Sequence, residues 1–351
     1  MPVIWLVDAY RAGERGQVRA LYNALLERLG GEGQVKSLDY RKQVVLPHVL
    51  GRSSVRGITP ASAATLQAPW PDIVISCGVR NEPVCRWIVA QSCGKTRYVH
   101  VGRPWGSLEN FSLVITTPQY RVPEHPNVLH NTLTLHSFTP DVLEAARAGW
   151  QASFENLPSP RFAVICGGDS GPYTFGPKAA TRLAREASAM ARAAQGSLLV
   201  TTSSRTRADA VAALQHALDA PHFFYPWRPD DEANPYRGIL ACADQLVVTG
   251  DSIAMLSEAC ATGRPVKIFD VGGMRAAVPA QTDFRLGGTL YAWLMRWFWE
   301  PLTRDITLVH KRLLERGYAV WSDQALTSAR VPAQSELERT VDAIEALLGK
   351  V

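Results

Sequence analysis

The feature that most restricts the fold of this chain is a unit of strand, glycine-bearing loop and helix that occurs at the start of each half. Val3–Val7 is a short apolar run of strand type. The loop 8–16 leads into a helix with Val18, Leu21, Tyr22, Leu25 and Leu29 at helical spacing, closed by Gly30 and Gly31. A second run, 162–166, is followed by the loop 167–177 and an alanine-rich helix over about 178–194. Further strand-like runs at 72–76, 97–101, 113–116, 197–201, 221–225 and 245–248 alternate with helical patterns. Such alternation predicts βαβ units and parallel sheets.

The expected fold class is α/β, two Rossmann-like domains facing a cleft, with parallel sheets flanked by helices. A length of 351 residues suits two cores better than one. Expected boundaries are 1–150 and 151–285, joined through Asn156-Leu-Pro-Ser-Pro160, with a helical tail 286–351 packing back across both. The last helix, 335–348, places Leu337, Val341, Ile344 and Leu348 on one face. The stretch 41–70, rich in Gly, Ser and Pro, shows no clear period.

Composition removes several classes. No apolar run reaches the ~18 residues of a membrane span. The first residues lack the basic and small-residue signals of a secretory leader, so the expectation is a cytoplasmic protein. Six cysteines without a CxxC pair read as buried thiols rather than a zinc site. The net charge is +5, and residues 1–150 hold 16 Lys+Arg against 11 Asp+Glu while 151–351 hold 21 against 21. That excess suits an anionic lipid or glycan, or peripheral contact with the inner face of a membrane. A mildly basic solvated surface explains it equally well. Without a dense basic run or a recognition motif, nucleic acid is not an expected partner.

Two turns carry phosphate-type chemistry. Gly167-Gly-Asp-Ser-Gly171 lies between strand and helix, where glycines permit close backbone approach and Ser170 adds a hydroxyl to Gly167, Gly168 and Asp169. Thr249-Gly-Asp-Ser252 ends a later strand, with Ser252 at a helix N-cap position and Gly250 and Asp251 before it. Met255 and Glu258 lie further along that helix. Glu258 lacks capping-box spacing from Ser252, and a carboxylate there suits a ribose diol; an ordinary surface glutamate is the plain alternative. Ser203 and Arg205 end another strand, and Arg205 is placed to pair with a diphosphate. Phe223 and Phe224 read as core, while Tyr225 and Trp227 suit contact with a base. Neither loop fits GxGxxG or a Walker sequence, which argues against a nicotinamide dehydrogenase. No carboxylate pair stands beside the phosphate turns, so no metal is expected.

In the first half, Asp8, Arg11, Glu14 and Gln17 fall at the first strand–helix turn, and His100 and Arg103 end another strand. Asp8, Glu14 and His100 are the candidates to deprotonate an acceptor hydroxyl. The aromatic segment 290–300 reads first as a helix packed between domains, and second as a membrane-interface helix carrying Trp293 and Trp297.

The turn Gly167-Gly-Asp-Ser-Gly171 and the helix Gly250-Asp-Ser-Ile-Ala-Met-Leu-Ser-Glu258 resemble the donor domain of GT-B glycosyltransferases, especially the peptidoglycan N-acetylglucosaminyl transferase group. There, such a turn and helix hold the sugar nucleotide. The whole chain more closely resembles the plant elongated-mitochondria fission-factor family and its bacterial homologues. That resemblance runs through Asp8…Arg11-Ala-Gly13…Gln17, Pro126-Asn-Val-Leu129, Ser203-Ser-Arg-Thr206, Asn234-Pro-Tyr236 and 249–266. The first loop departs from the pattern: Glu14 stands where His or Asn is expected, with one extra residue between Asp8 and Gly13.

Two readings follow. One is a metal-independent glycosyltransferase-like enzyme that uses a nucleotide-diphosphate sugar as substrate, needs no other cofactor and acts on a cell-envelope acceptor. The other is a non-catalytic adaptor that keeps the fold.

Overall fold

A computed structural model describes residues 1–41, 53–275, 283–297, 303–325, 330 and 334–349. In chain order it runs β1 (Val3–Val7), α1 (Ala12–Leu29), β2 (Glu32–Lys36), α2 (Pro60–Ala64), β3 (Ile73–Cys77), α3 (Glu82–Gln91), β4 (Arg97–Val101), β5 (Leu113–Thr116) and β6 (Val128–His130). It continues with α4 (Pro140–Trp150), β7 (Arg161–Ile165), α5 (Pro177–Ala193), β8 (Ser197–Thr201), α6 (Ala208–Ala217), β9 (His222–Tyr225) and α7 (Tyr236–Cys242). Then come β10 (Gln245–Thr249), α8 (Ile253–Ala261), β11 (Val266–Phe269), α9 (Leu286–Trp297), α10 (Thr307–Glu315), β12 (Val320–Trp321) and α11 (Glu336–Leu348). Short 3-10 turns join some of them. Part of the ambiguous 41–70 stretch, residues 42–52, lies outside the described residues.

The chain forms two compact units, 1–137 with 334–351 and 138–333. The division falls at 137 rather than 150 because α4 packs on α7 of unit 2, where the Trp150 ring fills the space beside Gly238. The tail is shared out in the same way. Helix α11 belongs to unit 1, with Val341 and Ile344 buried in the cluster that holds Val18, Leu21 and Leu25 of α1. Ser335 and Glu338 close a capping box at its start.

Unit 1 has a parallel sheet ordered β2-β1-β3-β4-β5-β6, and unit 2 has one ordered β12-β11-β10-β7-β8-β9. These sheets are the α/β, GT-B-like architecture expected. Central β3 and β8 are buried along their whole length, so their apolar residues run on instead of alternating. Edge strand β2, Glu-Gly-Gln-Val-Lys, is mostly exposed and blunted by its charges. In each sheet the order reverses between two neighbouring strands. These are β1 and β3 in unit 1, and β7 and β10 in unit 2. Ligands of open α/β sheets bind at such reversals, beyond the strands' carboxyl ends.

Two expectations change. Helix α9 is not a packed aromatic helix: Leu290, Trp293 and Trp297 are 57, 49 and 68 % exposed. Phe223 and Phe224 are only half-buried because β9 is an edge strand, although Phe223 meets Phe154 edge-on at 5.1 Å. Five cysteines are buried, and Cys93 is exposed. Among the described residues, no helix is long and apolar enough to cross a membrane.

Candidate functional site

At the reversal in unit 2, the two phosphate-type turns meet, and they bond to each other. Gly167 N–H donates to Thr249 Oγ1 at 2.8 Å, and Gly168 N–H donates to Asp251 Oδ2 at 2.8 Å. Arg205 Nη2 lies 3.1 Å from the same carboxylate, and Arg205 Nη1 donates to the Asp169 carbonyl at 3.1 Å. Ser203 donates its hydroxyl to the Gly167 carbonyl at 2.6 Å, and Thr206 donates to the same oxygen. The glycines are needed here. A Cβ on Gly168 would stand 2.1 Å from the Arg205 carbonyl oxygen, and one on Gly167 would stand 2.3 Å from Asp251. Thus the amides of Gly167 and Gly168, expected to cradle phosphate, are taken by the protein's own hydroxyl and carboxylate. Arg205 likewise serves Asp251. Burial pushes the Asp251 carboxyl above its ordinary value, against the pull of Arg205, Thr249 and the Gly168 amide.

The helix after this loop is also closed. Asp283 accepts from the amides of Lys178 and Ala179 at 3.1 and 3.0 Å, capping α5. Arg285 lies 3.5 Å from Asp169, and Arg304 donates to the Ser170 hydroxyl at 2.6 Å. Ser170 is therefore buried under residues far away in sequence, which local pattern gave no means of finding.

Helix α8 differs. Ser252 occupies its N-cap position, but its side chain makes no cap hydrogen bond, and the first turn holds no acidic residue. The Ser252 side chain thus does not cap as its position suggested. Ala254 and Met255 are half-buried there. The turn leading in is clamped from below, where His310 Nε2 donates to the Gly250 carbonyl at 2.7 Å. Burial lowers His310 to about 4, so the ring is neutral and Nε2 carries the proton.

Glu258 lies on the same helix, half-buried. It accepts a hydrogen bond from the Tyr236 hydroxyl. Burial raises its carboxyl to about 7, opposed by Tyr236 and then Arg237. Tyr236 stacks edge-on against Phe138 at 6.2 Å and is seated by Asn234, which accepts its amide at 3.0 Å. Glu258 is thus neither a plain surface glutamate nor an open carboxylate. Tyr225 is buried, with its hydroxyl donating to Asp231 at 2.6 Å, so it does not present a face to a base. Trp227 is 40 % exposed, its amide tied to Thr202 at 2.9 Å.

In unit 1 the three candidate bases separate. His100 is fully buried. Its Nδ1 is 2.9 Å from the Tyr98 hydroxyl and its Nε2 is 3.1 Å from the Arg103 carbonyl, so both ring nitrogens are used. Burial lowers its pKa. A sealed imidazole cannot take a proton from an acceptor, and His100 is set aside. Asp8 accepts from Arg19 at 2.6 Å, lies 3.3 Å from Arg15 and is nearly covered; it anchors α1 to the end of β1. Glu14 lines a small cavity beyond the ends of β3, β4 and β5 together with Gln17, Cys77 and Thr116. At the β1/β3 reversal beside it, the turn ends are laced by Asn81, whose side-chain amide donates to the carbonyls of Val7, Asp8 and Cys77 at 3.2, 3.0 and 3.0 Å. In the motif around 126–129, Asn127 donates to the Leu108 and Phe111 carbonyls at 2.6 and 2.8 Å, a structural task.

Solved structures show the same fold. A UDP co-structure of MnaA from S. aureus aligns with a TM-score of 0.51 at 12 % identity, over 100 % of this chain and 98 % of that one. The UDP-GlcNAc 2-epimerase from Neisseria meningitidis, bound to UDP-GlcNAc, aligns with a TM-score of 0.50 at 10 % identity, over 100 % of both. In sequence, the mitochondrial fission protein ELM1 of Arabidopsis thaliana is 26 % identical over 302 residues, covering 77 % of this chain and 70 % of the plant protein. The family described as mitochondrial fission ELM1 matches residues 12–283, and the chain belongs to it.

Proposed function

We propose that this chain is a glycosyltransferase-like protein whose unit 2 binds a nucleotide-diphosphate sugar. The carrying observation is the start of α8. Among the described residues it has no side-chain cap bond from Ser252 and no acidic residue in its first turn, while the neighbouring turn and helix start are closed by Asp251 and Asp283. First-turn amides, which have no acceptor within their own helix, and the positive end of the helix dipole favour an anion there, such as a diphosphate. Glu258 lies farther along the same helix, where an ionised carboxylate accepts from a ribose diol. The binding of UDP and UDP-GlcNAc by the two solved neighbours supports this ligand class. On unit 1, Glu14 is the residue we assign as base, since it lines the cavity with Arg11 3.7 Å away, whereas Asp8 is held by two arginines at 2.6 and 3.3 Å outside that lining and His100 is sealed.

The second reading is an adaptor without catalysis. One observation favours it: the glycine loop, which should be open to phosphate, is filled by the protein's own side chains. Thermal-shift titration with UDP, ADP, GDP, TDP and UDP-GlcNAc separates the two. A ligand bound only by the folded state adds about 2.7 kcal/mol at a hundredfold excess over Kd, a rise of several degrees. A concentration-dependent rise with any of them supports the nucleotide reading. A flat response to all five leaves the adaptor.

A further inference from the structure

The cavity of unit 1 beyond the carboxyl ends of β3, β4 and β5 is lined in part by polar groups that the fold itself does not use. Thr116 ends β5, and Gln119 sits in the 3-10 turn Pro118–Tyr120 that follows it. They are 2 and 3 % exposed. Among the described residues, Thr116 Oγ1 and Gln119 Oε1 have no hydrogen-bond partner. The Gln119 side-chain amine is already committed, donating to Thr117 Oγ1 at 3.0 Å, so the oxygen of that amide is left as an acceptor. Leaving such groups buried without partners is unfavourable, and a ligand that bonds to them removes that cost.

We propose that this cavity is a socket for one primary hydroxyl group of a carbohydrate, the hydroxymethyl arm of an acceptor. A hydroxyl both donates and accepts, matching an amide oxygen that accepts and a threonine hydroxyl that does both. An ammonium group only donates. The charge argues the same way: Glu14 at the cavity is balanced by Arg11, whose Nη1 is 3.7 Å from Glu14 Oε1, so a neutral group fits. The cavity has room for a water-sized group and not for a sugar ring, so a group on a one-carbon stalk enters while the ring stays outside. The place suits a ligand as well. Gly78, with φ +85°, follows β3, and a Cβ there would stand 3.1 Å from the Tyr10 ring and 3.2 Å from Glu14 Oε2. As an acceptor site, the socket rests on the transferase reading; as a binding site, it stands alone.

Saturation-transfer NMR on the full chain tests it with three probes: methyl glucoside, its 6-deoxy counterpart and its 6-amino-6-deoxy counterpart, each with and without saturating UDP. The glucoside is expected to bind about tenfold more tightly than the 6-deoxy probe, the worth of one or two buried hydrogen bonds. Gln119→Leu should abolish that preference and leave the 6-deoxy affinity unchanged, which a merely structural role would not do. Should Gln119→Leu fail to fold by circular dichroism, Thr116→Val makes the same comparison with less change of shape. Absence of glucoside binding, equal affinity for the first two probes, tighter binding of the amine, survival of the preference in the variant, or displacement by UDP would each overturn the socket. If UDP does not bind but the preference appears and is lost in the variant, the nucleotide reading falls and the socket remains.

Discussion

In unit 2, the turn after β7 gives the amides of Gly167 and Gly168 to Thr249 and Asp251 of the turn after β10. In unit 1, Asn81 ties the turn backbones together at the reversal, while at the end of β5 Thr116 and Gln119 keep buried oxygens without partners among the described residues. The strand orders differ, but each sheet reverses beside its unit's first strand, and the polar groups there are satisfied differently. Where the loops satisfy each other, the glycines serve packing, and the proposed ligand surface is the start of α8 instead. Where they do not, the proposed surface is the cavity itself. A glycine-rich turn at a sheet reversal therefore does not locate an anion until the partners of its amides are known.

The largest expected effect breaks this comparison if it fails. Gly168→Ala must displace the Arg205 backbone and should lower stability by about 3 kcal/mol in denaturant unfolding. Gly16, on α1 of unit 1, has open space around its Cβ position, and Gly16→Ala should add about 0.5–1 kcal/mol, the gain for alanine in a helix. Equal tolerance at both positions would mean that the unit 2 loop is soft enough to reopen for phosphate.

Glu258→Ala comes next. Its expected effect is a loss of about 1–3 kcal/mol in nucleotide-sugar affinity by calorimetry, the worth of the proposed charge-assisted bond to the ribose. Unchanged affinity with a sharply lower melting temperature would reduce Glu258 to a structural partner of Tyr236.

The pH dependence sharpens the same point. The Glu258 carboxyl is raised to about 7 in the folded protein from its ordinary 4.5. The folded state thus holds a proton that the unfolded state releases. This group's contribution to stability therefore falls as pH rises from 4.5 toward about 7. The proposed ribose contact uses the ionised form, so affinity should rise as pH passes about 7. Titrating affinity and melting temperature for Glu258→Gln should show both slopes flattened. A variant that keeps both would assign them to another group.

Much of the fold was legible because apolar periodicity reports burial directly. Strands fully buried on both faces, such as β3 and β8, show as unbroken runs, and α11 shows its face through Leu337, Val341, Ile344 and Leu348. The site was legible in place but not in state. Sequence marks 167–171 and 249–252 as turns at one sheet edge; it carries no record that Asp251 reaches back to Gly168 or that Asp283 caps a helix starting at 177. His100 looked like a strand-end base, and only its distances to Tyr98 and Arg103 show that it is sealed. Thr116 and Gln119 carried no motif at all, because an unused buried oxygen is a property of packing.

The smallest expected effect contrasts the surfaces of the two units. Unit 1 holds 17 Lys+Arg against 13 Asp+Glu and unit 2 holds 20 against 19, so the positive excess lies mostly on unit 1. Unit 2 instead exposes Leu286, Leu290, Trp293 and Trp297 of α9, a helix whose charged side chain is Arg296. Tryptophan beside arginine suits the headgroup zone of a bilayer, and basic residues near an anionic surface add about 1 kcal/mol each. The expected outcome is weak, reversible cosedimentation with phosphatidylserine vesicles that falls as salt rises. Replacing Trp293 and Trp297 with alanine should reduce it while the melting temperature holds, because both rings are already about half-exposed or more. Binding that ignores salt would remove unit 1's charge from the account. A melting temperature that drops steeply in the double variant would return these tryptophans to a packing role and leave unit 2 without a membrane surface.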